Sequence, residues 1–238
     1  MEFKHKTVLL NEMIDNVLTD PDGIYVDCTL GGGGHSFALA QKLSEKATLV
    51  GVDQDDRAIA AATERLKDVR CRHLTVRNNF SYVDENLDSL GIGQVDGFMF
   101  DLGVSSPQLD DGSRGFSYMH DGDLDMRMDQ RNPLTAYEVV NSYSQEDLER
   151  ILFDYGEERW TKRIVQFILK AREEKPIKTT GELVHIIKAA IPKGARSEGS
   201  HPAKRTFQAI RIEVNGELKI LEQTMKDCVR RLKSGGRL

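Results

Sequence analysis

The stretch that decides the fold is Tyr25–Ser36, which reads Y-V-D-C-T-L-G-G-G-G-H-S. Four consecutive glycines follow a short apolar run, and an amphipathic segment follows the glycines, so the order is strand, glycine turn, helix. Glycine lets a ligand approach the main chain closely, and the N-terminus of the following helix presents free N–H groups. A second apolar run, residues 47–52, leads to Asp53, where a carboxylate can accept hydrogen bonds from a ribose. This order predicts the opening unit of a nucleotide-binding α/β fold.

The glycine turn does not match the dinucleotide pattern G-x-G-x-x-G/A, because Ser36 or Phe37 stands where the last glycine should be. It does match D-x-T-x-G-x-G, starting at Asp27, and so resembles the first motif of S-adenosylmethionine methyltransferases. A dinucleotide-dependent oxidoreductase therefore remains the less favoured alternative.

The composition is that of an ordinary globular protein, with 39% hydrophobic and 30% charged residues. No apolar run approaches the length of a membrane span, and the N-terminus lacks the apolar core of a signal peptide. The cysteines Cys28, Cys71 and Cys228 are far apart and form no metal-binding spacing. We therefore expect a protein of the reducing cytoplasm without a metal ion.

The net charge of −5 hides an uneven distribution of charge along the chain. Residues 159–211 carry 13 lysines and arginines against 4 acidic residues, whereas residues 1–158 carry 14 against 30. A basic block of this density indicates a polyanionic partner, and a solvated helical surface is an equally good explanation.

The rest of the chain divides by its hydrophobic pattern. Strands alternate with helices up to Asp101, which predicts a parallel sheet. Residues 102–133 read as a long irregular loop, of the kind that is usually functional, and residues 135–192 show only helical patterns. We expect a Rossmann-like sheet domain of residues 1–106 and 205–238, a loop and all-helical insertion at residues 107–204, and a terminal turn at residues 234–238.

Ligands of open parallel sheets lie beyond the carboxyl ends of the strands. That location gathers the glycine turn, Asp53, Phe80 and Asp101. Phe80 can flank an adenine or simply fill the core, and His35 can face a carboxylate or simply cap its helix. Asp53 is harder to explain as structure, because we expect few structural duties for an acid at the end of a strand.

The segment D-L-G-V-S-S-P-Q follows the fourth strand. Its Ser106–Pro107 pair resembles half of the D/N/S-P-P-Y/F motif of amino-group methyltransferases. Acceptors that hold the two hydrogens of a base amine would localise its lone pair and orient it. Pro107 disfavours helical backbone at Ser106, so we expect Ser106 to be extended, with Phe116 or Tyr118 stacking on the base.

Six segments spread over the whole chain resemble the bacterial 16S ribosomal-RNA cytosine-N4 methyltransferases: G-G-G-G-H-S, D-L-G-V-S-S-P-Q-L-D, R-G-F-S, L-D-M-R-M-D, Y-G-E-E-R and H-P-A-K-R-T-F-Q-A-I-R-I-E-V-N. The resemblance implies a class I methyltransferase fold with a helical insertion. It also implies S-adenosyl-L-methionine as the cofactor, and as the substrate the 4-amino group of a cytidine in the decoding centre of the small ribosomal subunit.

The resemblance places the cofactor contacts on Gly33, Gly34, His35, Asp53, Phe80, Asp101 and Gln108. Asp101, Ser105, Ser106 and Pro107 are the candidates for the catalytic centre. Arg114, Lys204, Arg205 and Arg211 are the candidates for phosphate contacts, since they lie in the loop after strand four and near the return from the insertion.

Members of the resembled family continue beyond the G-G-R-L at which this chain stops. The resemblance therefore implies a sheet that lacks its later strands. Because later strands are expected to be missing, RNA binding without catalysis remains an alternative function for this chain.

Overall fold

The computed structural model describes residues 8–196 and 201–238. The described chain divides into two compact units, one of residues 8–103 and 219–238 and one of residues 104–218. The expected insertion was residues 107–204, whereas the second unit begins at residue 104 and ends at residue 218.

The first unit contains a sheet of five parallel strands in the order β3-β2-β1-β4-β5. The strands are β1 (Ile24–Asp27), β2 (Thr48–Asp53), β3 (Arg72–Arg77), β4 (Val95–Met99) and β5 (Leu232–Arg237). The predicted parallel sheet is confirmed, and the apolar runs on either side of the glycine turn form β1 and β2.

Five helices belong wholly or almost wholly to the first unit: α1 (Leu10–Val17), α2 (Gly34–Ala40), α3 (Asp56–Leu66), α4 (Val83–Ser89) and α11 (Glu217–Arg231). Successive strand residues point to opposite faces, so Tyr25 packs in a cluster with α1, α2 and α3, while Val26 packs in a cluster with α4 and α11. Both faces of the sheet are therefore covered, which explains why its central strands are almost wholly apolar.

The end of the chain differs from the prediction. Residues 234–238 were expected to turn, but β5 pairs with β4 in parallel, with Val95 opposite Leu232 and Gly97 opposite Arg237. The prediction was wrong because two glycines and a serine suggested a loop. Pairing with β4 supplies the hydrogen bonds that this weak β-forming sequence does not favour by itself.

The second unit is helical and has one hydrophobic core, to which Leu148, Ile164, Leu183 and Phe207 contribute. Its helices are α5 (Ser106–Asp110), α6 (Ala136–Ser142), α7 (Gln145–Asp154), α8 (Thr161–Glu174), α9 (Thr180–Ala190) and α10 (Lys204–Asn215). A capping box begins α9, since Thr179 Oγ1 accepts the N–H of Glu182 at 3.2 Å and the Glu182 carboxylate accepts the N–H of Thr179 at 3.3 Å.

The segment predicted as an irregular loop contains α5 and a short 3₁₀ helix at Gly112–Arg114. Its later part contributes Leu124, Met126 and Met128 to the helical core. None of the helices in the described part of the chain is long and apolar enough to span a membrane.

Candidate active site

The sheet order defines a crevice at the carboxyl ends of its central strands. From β1 the chain passes to β2 and β3 on one side of the sheet and then returns to β4 on the other side of β1. The loops that follow β1 and β4 diverge at this switch point, which is where open α/β sheets bind their ligands.

The glycine turn after β1 is held in an unusual backbone conformation. Gly31 and Gly33 have φ angles of 50° and 74°, in the left-handed region that favours glycine. A Cβ atom on Gly33 would also approach the Cβ of Ala62 to 3.2 Å, whereas one on Gly32 would meet nothing within 4 Å. The turn therefore packs against α3 on one side and is open on the other.

Asp27 holds this turn through hydrogen bonds to residues on both sides of the glycines. Its carboxylate accepts the hydroxyl of Ser36 at 2.7 Å and the N–H of Thr29 at 3.2 Å, and the residue is 2% exposed. Burial raises the pKa of Asp27 to about 6. The first residue of D-x-T-x-G-x-G thus ties both ends of the glycine turn to the strand.

Asp53 has structural duties that the sequence did not suggest. Its Oδ2 accepts the N–H of Gly31 at 2.8 Å and its Oδ1 accepts the N–H of Asp55 at 2.9 Å. Burial raises the pKa of Asp53, opposed by these backbone hydrogen bonds. The expectation that a strand-end acid has few structural duties was wrong, since Asp53 holds the glycine turn beside β2.

The loop after β4 is attached to the glycine turn through Thr29, whose hydroxyl accepts the N–H of Asp101 at 2.7 Å. The Asp101 carboxylate is half exposed, and its Oδ2 lies 3.9 Å from Nδ1 of His35. Nε2 of His35 lies 3.0 Å from the carbonyl oxygen of Val8, which can only accept, so this nitrogen carries a hydrogen. His35 is therefore a buried residue of the turn that bonds to the main chain of Val8, and its Nδ1 faces the Asp101 carboxylate at a distance beyond a hydrogen bond.

The segment after β3 completes this edge of the sheet. Asn79 caps a 3₁₀ helix at Phe80–Tyr82 by accepting the N–H of Ser81, and its amide donates to Gln54 Oε1 at 2.9 Å. Phe80 is half-buried and meets Phe100 edge-on, with ring centroids 5.7 Å apart. Phe80 therefore packs against the sheet and also keeps part of its surface open.

Two residues at this edge, Thr29 and Gln54, were not among the predicted site residues. Thr29 is the threonine of the D-x-T-x-G-x-G motif, and that position was the only available signal. Gln54 adjoins Asp53 but belongs to no motif, so its bond to Asn79 could only be found in three dimensions.

The segment Ser105–Gln108 belongs to the second unit. Ser105 is extended (φ −77°, ψ 153°) and precedes α5, and Gln108 Oε1 accepts its N–H at 3.0 Å. The expectation of an extended Ser106 was wrong, because α5 begins at Ser106 and proline is accepted in the first turn of a helix, where its missing N–H is not needed.

The two aromatic candidates for base stacking differ in exposure. Phe116 is 5% exposed and lies in the helical core, so it offers no face to a base. Tyr118 is half-buried and stacks on His201, with centroids 4.6 Å apart and planes inclined by 10°.

The four basic candidates fall into two pairs. Arg114 is buried and donates to the carbonyl oxygens of Arg127 (2.9 Å) and Met128 (3.2 Å). Arg211 forms a two-point pair with Glu217 at 2.8 and 3.0 Å. Lys204 and Arg205 are exposed, and Arg205 donates to the carbonyl oxygen of Glu157. This placement favours Lys204 and Arg205 over Arg114 and Arg211 as phosphate contacts.

Within residues 8–196 and 201–238, no group of three or more histidine, cysteine, aspartate and glutamate side chains is arranged to hold a metal ion. The polar groups at the switch point are instead carboxylates and backbone N–H groups. Carboxylates can accept hydrogen bonds from the hydroxyl groups of a ligand.

The fold and this edge of the sheet define a Rossmann-like protein of the class I methyltransferase type, with a helical insertion. Residues 2–238 match the model of the MraW methylase family. The chain belongs to the MraW methylase family.

Relatives named ribosomal RNA small subunit methyltransferase H support this assignment. Those of Clostridioides difficile (strain 630), Clostridium botulinum (strain Kyoto / Type A2) and Lachnospira eligens are 54%, 58% and 57% identical to the chain over 238 residues. Each alignment covers all of this chain and 76% of the relative.

Proposed function

We propose that this chain is an S-adenosyl-L-methionine-dependent methyltransferase of small-subunit ribosomal RNA, and that it methylates the N4 amino group of a cytidine in the decoding centre. The observation that carries the proposal is the assembly of the glycine turn, Asp53 and Asp101 at the switch point of a chain that belongs to the MraW methylase family. The names of the three relatives supply the substrate class.

The residues at the switch point fit the proposed cofactor. The carboxylate of Asp53 accepts the backbone N–H groups of Gly31 and Asp55 and is also influenced by that of Gln54. Because an ionised carboxylate has about four acceptor sites, it can still accept a ribose hydroxyl. The open side of Gly32 leaves room for a ligand against the main chain. Phe80 has exposed ring surface to flank an adenine, and Gly33, Gly34 and His35 line the turn.

When bound, S-adenosyl-L-methionine supplies an electrophilic methyl group on a sulfonium. We assign Asp101 to the neighbourhood of that positive charge, because its carboxylate is half exposed and its backbone is held by Thr29. Gln108, which the family resemblance also assigns to the cofactor, supports the backbone of Ser105.

The target amine is a poor nucleophile, because its lone pair is delocalised into the pyrimidine ring. We propose that Ser105, Ser106 and the backbone at Pro107 accept its hydrogens and orient it. Catalysis then comes from positioning and electrostatics, and the amine releases its proton after the methyl group has moved. The base must leave its stack to be reached, so we expect an unpaired or flexible cytidine.

Calorimetry separates this function from its alternatives. The proposal predicts that the chain binds S-adenosylhomocysteine and does not bind NAD. A dinucleotide oxidoreductase would show the reverse preference, and an RNA-binding protein without catalysis would bind RNA but transfer no methyl group.

A further inference from the structure

A groove in the second unit is lined by aromatic and basic side chains that the proposed chemistry does not use. It lies where α7 is followed by α8 and has a volume of about 580 Å³. The lining residues that matter here are Arg150, Phe153, Arg159, Trp160, Lys162 and Arg163.

The two aromatic side chains of the groove differ in how far they are exposed to solvent. α7 buries Leu148, Ile151 and Leu152 in the helical core, which leaves Phe153 on the opposite side with 68% of its surface exposed. The half-buried Trp160 directly precedes α8 and packs partly against the helical core, and its backbone N–H donates to Glu158 Oε1 at 3.0 Å. An exposed phenyl ring contributes little to folding, so its presence beside a second aromatic ring is consistent with a binding surface.

Three cations at the groove have no anionic partner among the residues that the structure describes. Arg159, Lys162 and Arg163 are exposed, and none of them pairs with a carboxylate in the described part of the chain. Lys162 and Arg163 also lie in the first turn of α8, and that turn contains no acidic residue. Basic side chains are disfavoured there by the positive end of the helix dipole. Arg163 gains one local contact, since its guanidinium lies 5.6 Å from the ring centroid of Phe167.

Two acidic residues, Glu149 and Glu158, also line the groove. Glu158 is 5% exposed and accepts the backbone N–H of Trp160. The other carboxylate, Glu149, is half-buried, accepts the side-chain amide of Gln145 at 2.8 Å and lies among four basic residues. The field at the groove mouth is therefore positive and complementary to a polyanion.

The turn that carries Arg159 is fixed from α10. Arg205 donates to the carbonyl oxygen of Glu157, and Gln208 donates to that of Tyr155 at 3.3 Å. Glu157 has a left-handed backbone, with φ 48°. This rigid turn places the exposed Lys204–Arg205 pair beside the groove within the same unit.

We propose that this groove binds an unpaired segment of the RNA substrate, with Phe153 and Trp160 stacking on bases and Arg159, Lys162 and Arg163 contacting phosphates. The inference rests on the proposed function for the choice of RNA as the polyanion. Aromatic platforms combined with basic side chains are the usual way in which proteins hold single strands. A-form duplexes offer no splayed bases to such a platform.

The test is the affinity of the whole chain for an unstructured RNA of roughly ten nucleotides, a length within the usual site size, by fluorescence anisotropy at several salt concentrations. One variant is Phe153→Ala. A second carries Arg159→Gln, Lys162→Gln and Arg163→Gln, and its matched control carries Lys170→Gln, Lys178→Gln and Lys193→Gln, which remove the same charge from exposed lysines of the same unit.

Phe153→Ala should weaken binding about tenfold with little change in its salt dependence. The groove triple variant should flatten the log–log salt slope by about 0.7 for each lost contact, so by about two units, and the control triple variant should flatten it much less. All variants should melt at nearly the parent temperature, because the substituted side chains are exposed.

Equal effects of the two triple variants, or parental affinity of Phe153→Ala, would overturn the proposal. Calorimetry with S-adenosylhomocysteine keeps this outcome distinct from a failure of the proposed function. If the chain binds S-adenosylhomocysteine but the groove variants do not differ from their controls in RNA binding, only the proposed RNA-binding role of the groove is refuted. If the groove variants lose RNA affinity as predicted but the chain neither binds S-adenosylhomocysteine nor methylates RNA, only the proposed methyltransferase function is refuted.

Discussion

The carboxylate of Asp53 accepts the backbone N–H of Gly31 at 2.8 Å, so the acid that ends β2 holds the glycine turn that follows β1. One side chain therefore both shapes the turn and lies where a ribose would bind. Its loss should affect ligand binding by both routes.

The variant Asp53→Ala should weaken S-adenosylhomocysteine binding by roughly 1.5–3 kcal/mol, tenfold or more, because hydrogen bonds to a charged group are lost. Isothermal titration calorimetry measures the affinity. Asp55→Ala is the control, since the Asp55 carboxylate caps α3 by accepting the N–H of Arg57 at 3.1 Å. It should lose about 1 kcal/mol of stability and keep its affinity. A folded Asp53→Ala protein with parental affinity would remove the ribose assignment.

A second prediction concerns pH. Burial raises the pKa of Asp27 from 3.8 to about 6, so the folded protein keeps a proton that the unfolded chain releases. This contribution to stability is fully present below about pH 4 and is lost as the pH rises through about 6. The loss is on the order of 3 kcal/mol.

Asp27→Asn removes this pH dependence. The amide oxygen can accept the N–H of Thr29, and its NH₂ can donate to the Ser36 hydroxyl, so both bonds survive. Urea unfolding from about pH 4 to about pH 7.5 should show the variant gaining stability relative to the parent as the pH rises. Parallel curves for the two proteins would mean that Asp27 is ionised throughout.

A third prediction separates the basic residues by their surroundings. Lys204→Gln should flatten the salt dependence of RNA binding by at most about one unit of log–log slope, because Lys204 is exposed. Arg114→Gln should lower the melting temperature, because a buried guanidinium that donates to two carbonyl oxygens is lost, and it should leave the salt slope unchanged. The reverse pattern would contradict this division.

A fourth prediction concerns the segment after β4. Ser106→Ala and Pro107→Ala should each lower single-turnover methyl transfer roughly 10- to 100-fold, because the amine is less well oriented, while S-adenosylhomocysteine affinity stays near that of the parent. The control is Ser113→Ala, since the Ser113 hydroxyl bonds only locally, to Asp111 Oδ1 at 2.5 Å. Parental rates in both variants would mean that the segment is only a connector.

The sequence predicted the sheet well because a parallel strand buried on both faces is an apolar run that ends at a turn. Asp53, Phe80 and Asp101 could likewise be placed at one edge, since carboxyl ends of parallel strands share an edge. β5 was missed because its residues carry no strand pattern, and its pairing with β4 is a long-range contact.

The local backbone and the pairing of charges could not be inferred in the same way. Ser106 was expected to be extended because proline follows it, but the Gln108 side chain supports Ser105 and allows a helix to start there. Arg114 and Arg211 resembled Lys204 in the sequence. Only the folded structure shows that Arg114 is buried and that Arg211 is paired with Glu217.

The central claim is tested most directly by identifying the methylated nucleoside. The chain is incubated with small ribosomal subunits that lack the modification and with S-adenosyl-L-methionine carrying a labelled methyl group, and the RNA is then digested and analysed by mass spectrometry. We predict label in N4-methylcytidine from the decoding centre, and much less label with the Asp53→Ala variant. Label in another nucleoside, or no label from a chain that binds both S-adenosylhomocysteine and RNA, would contradict the account.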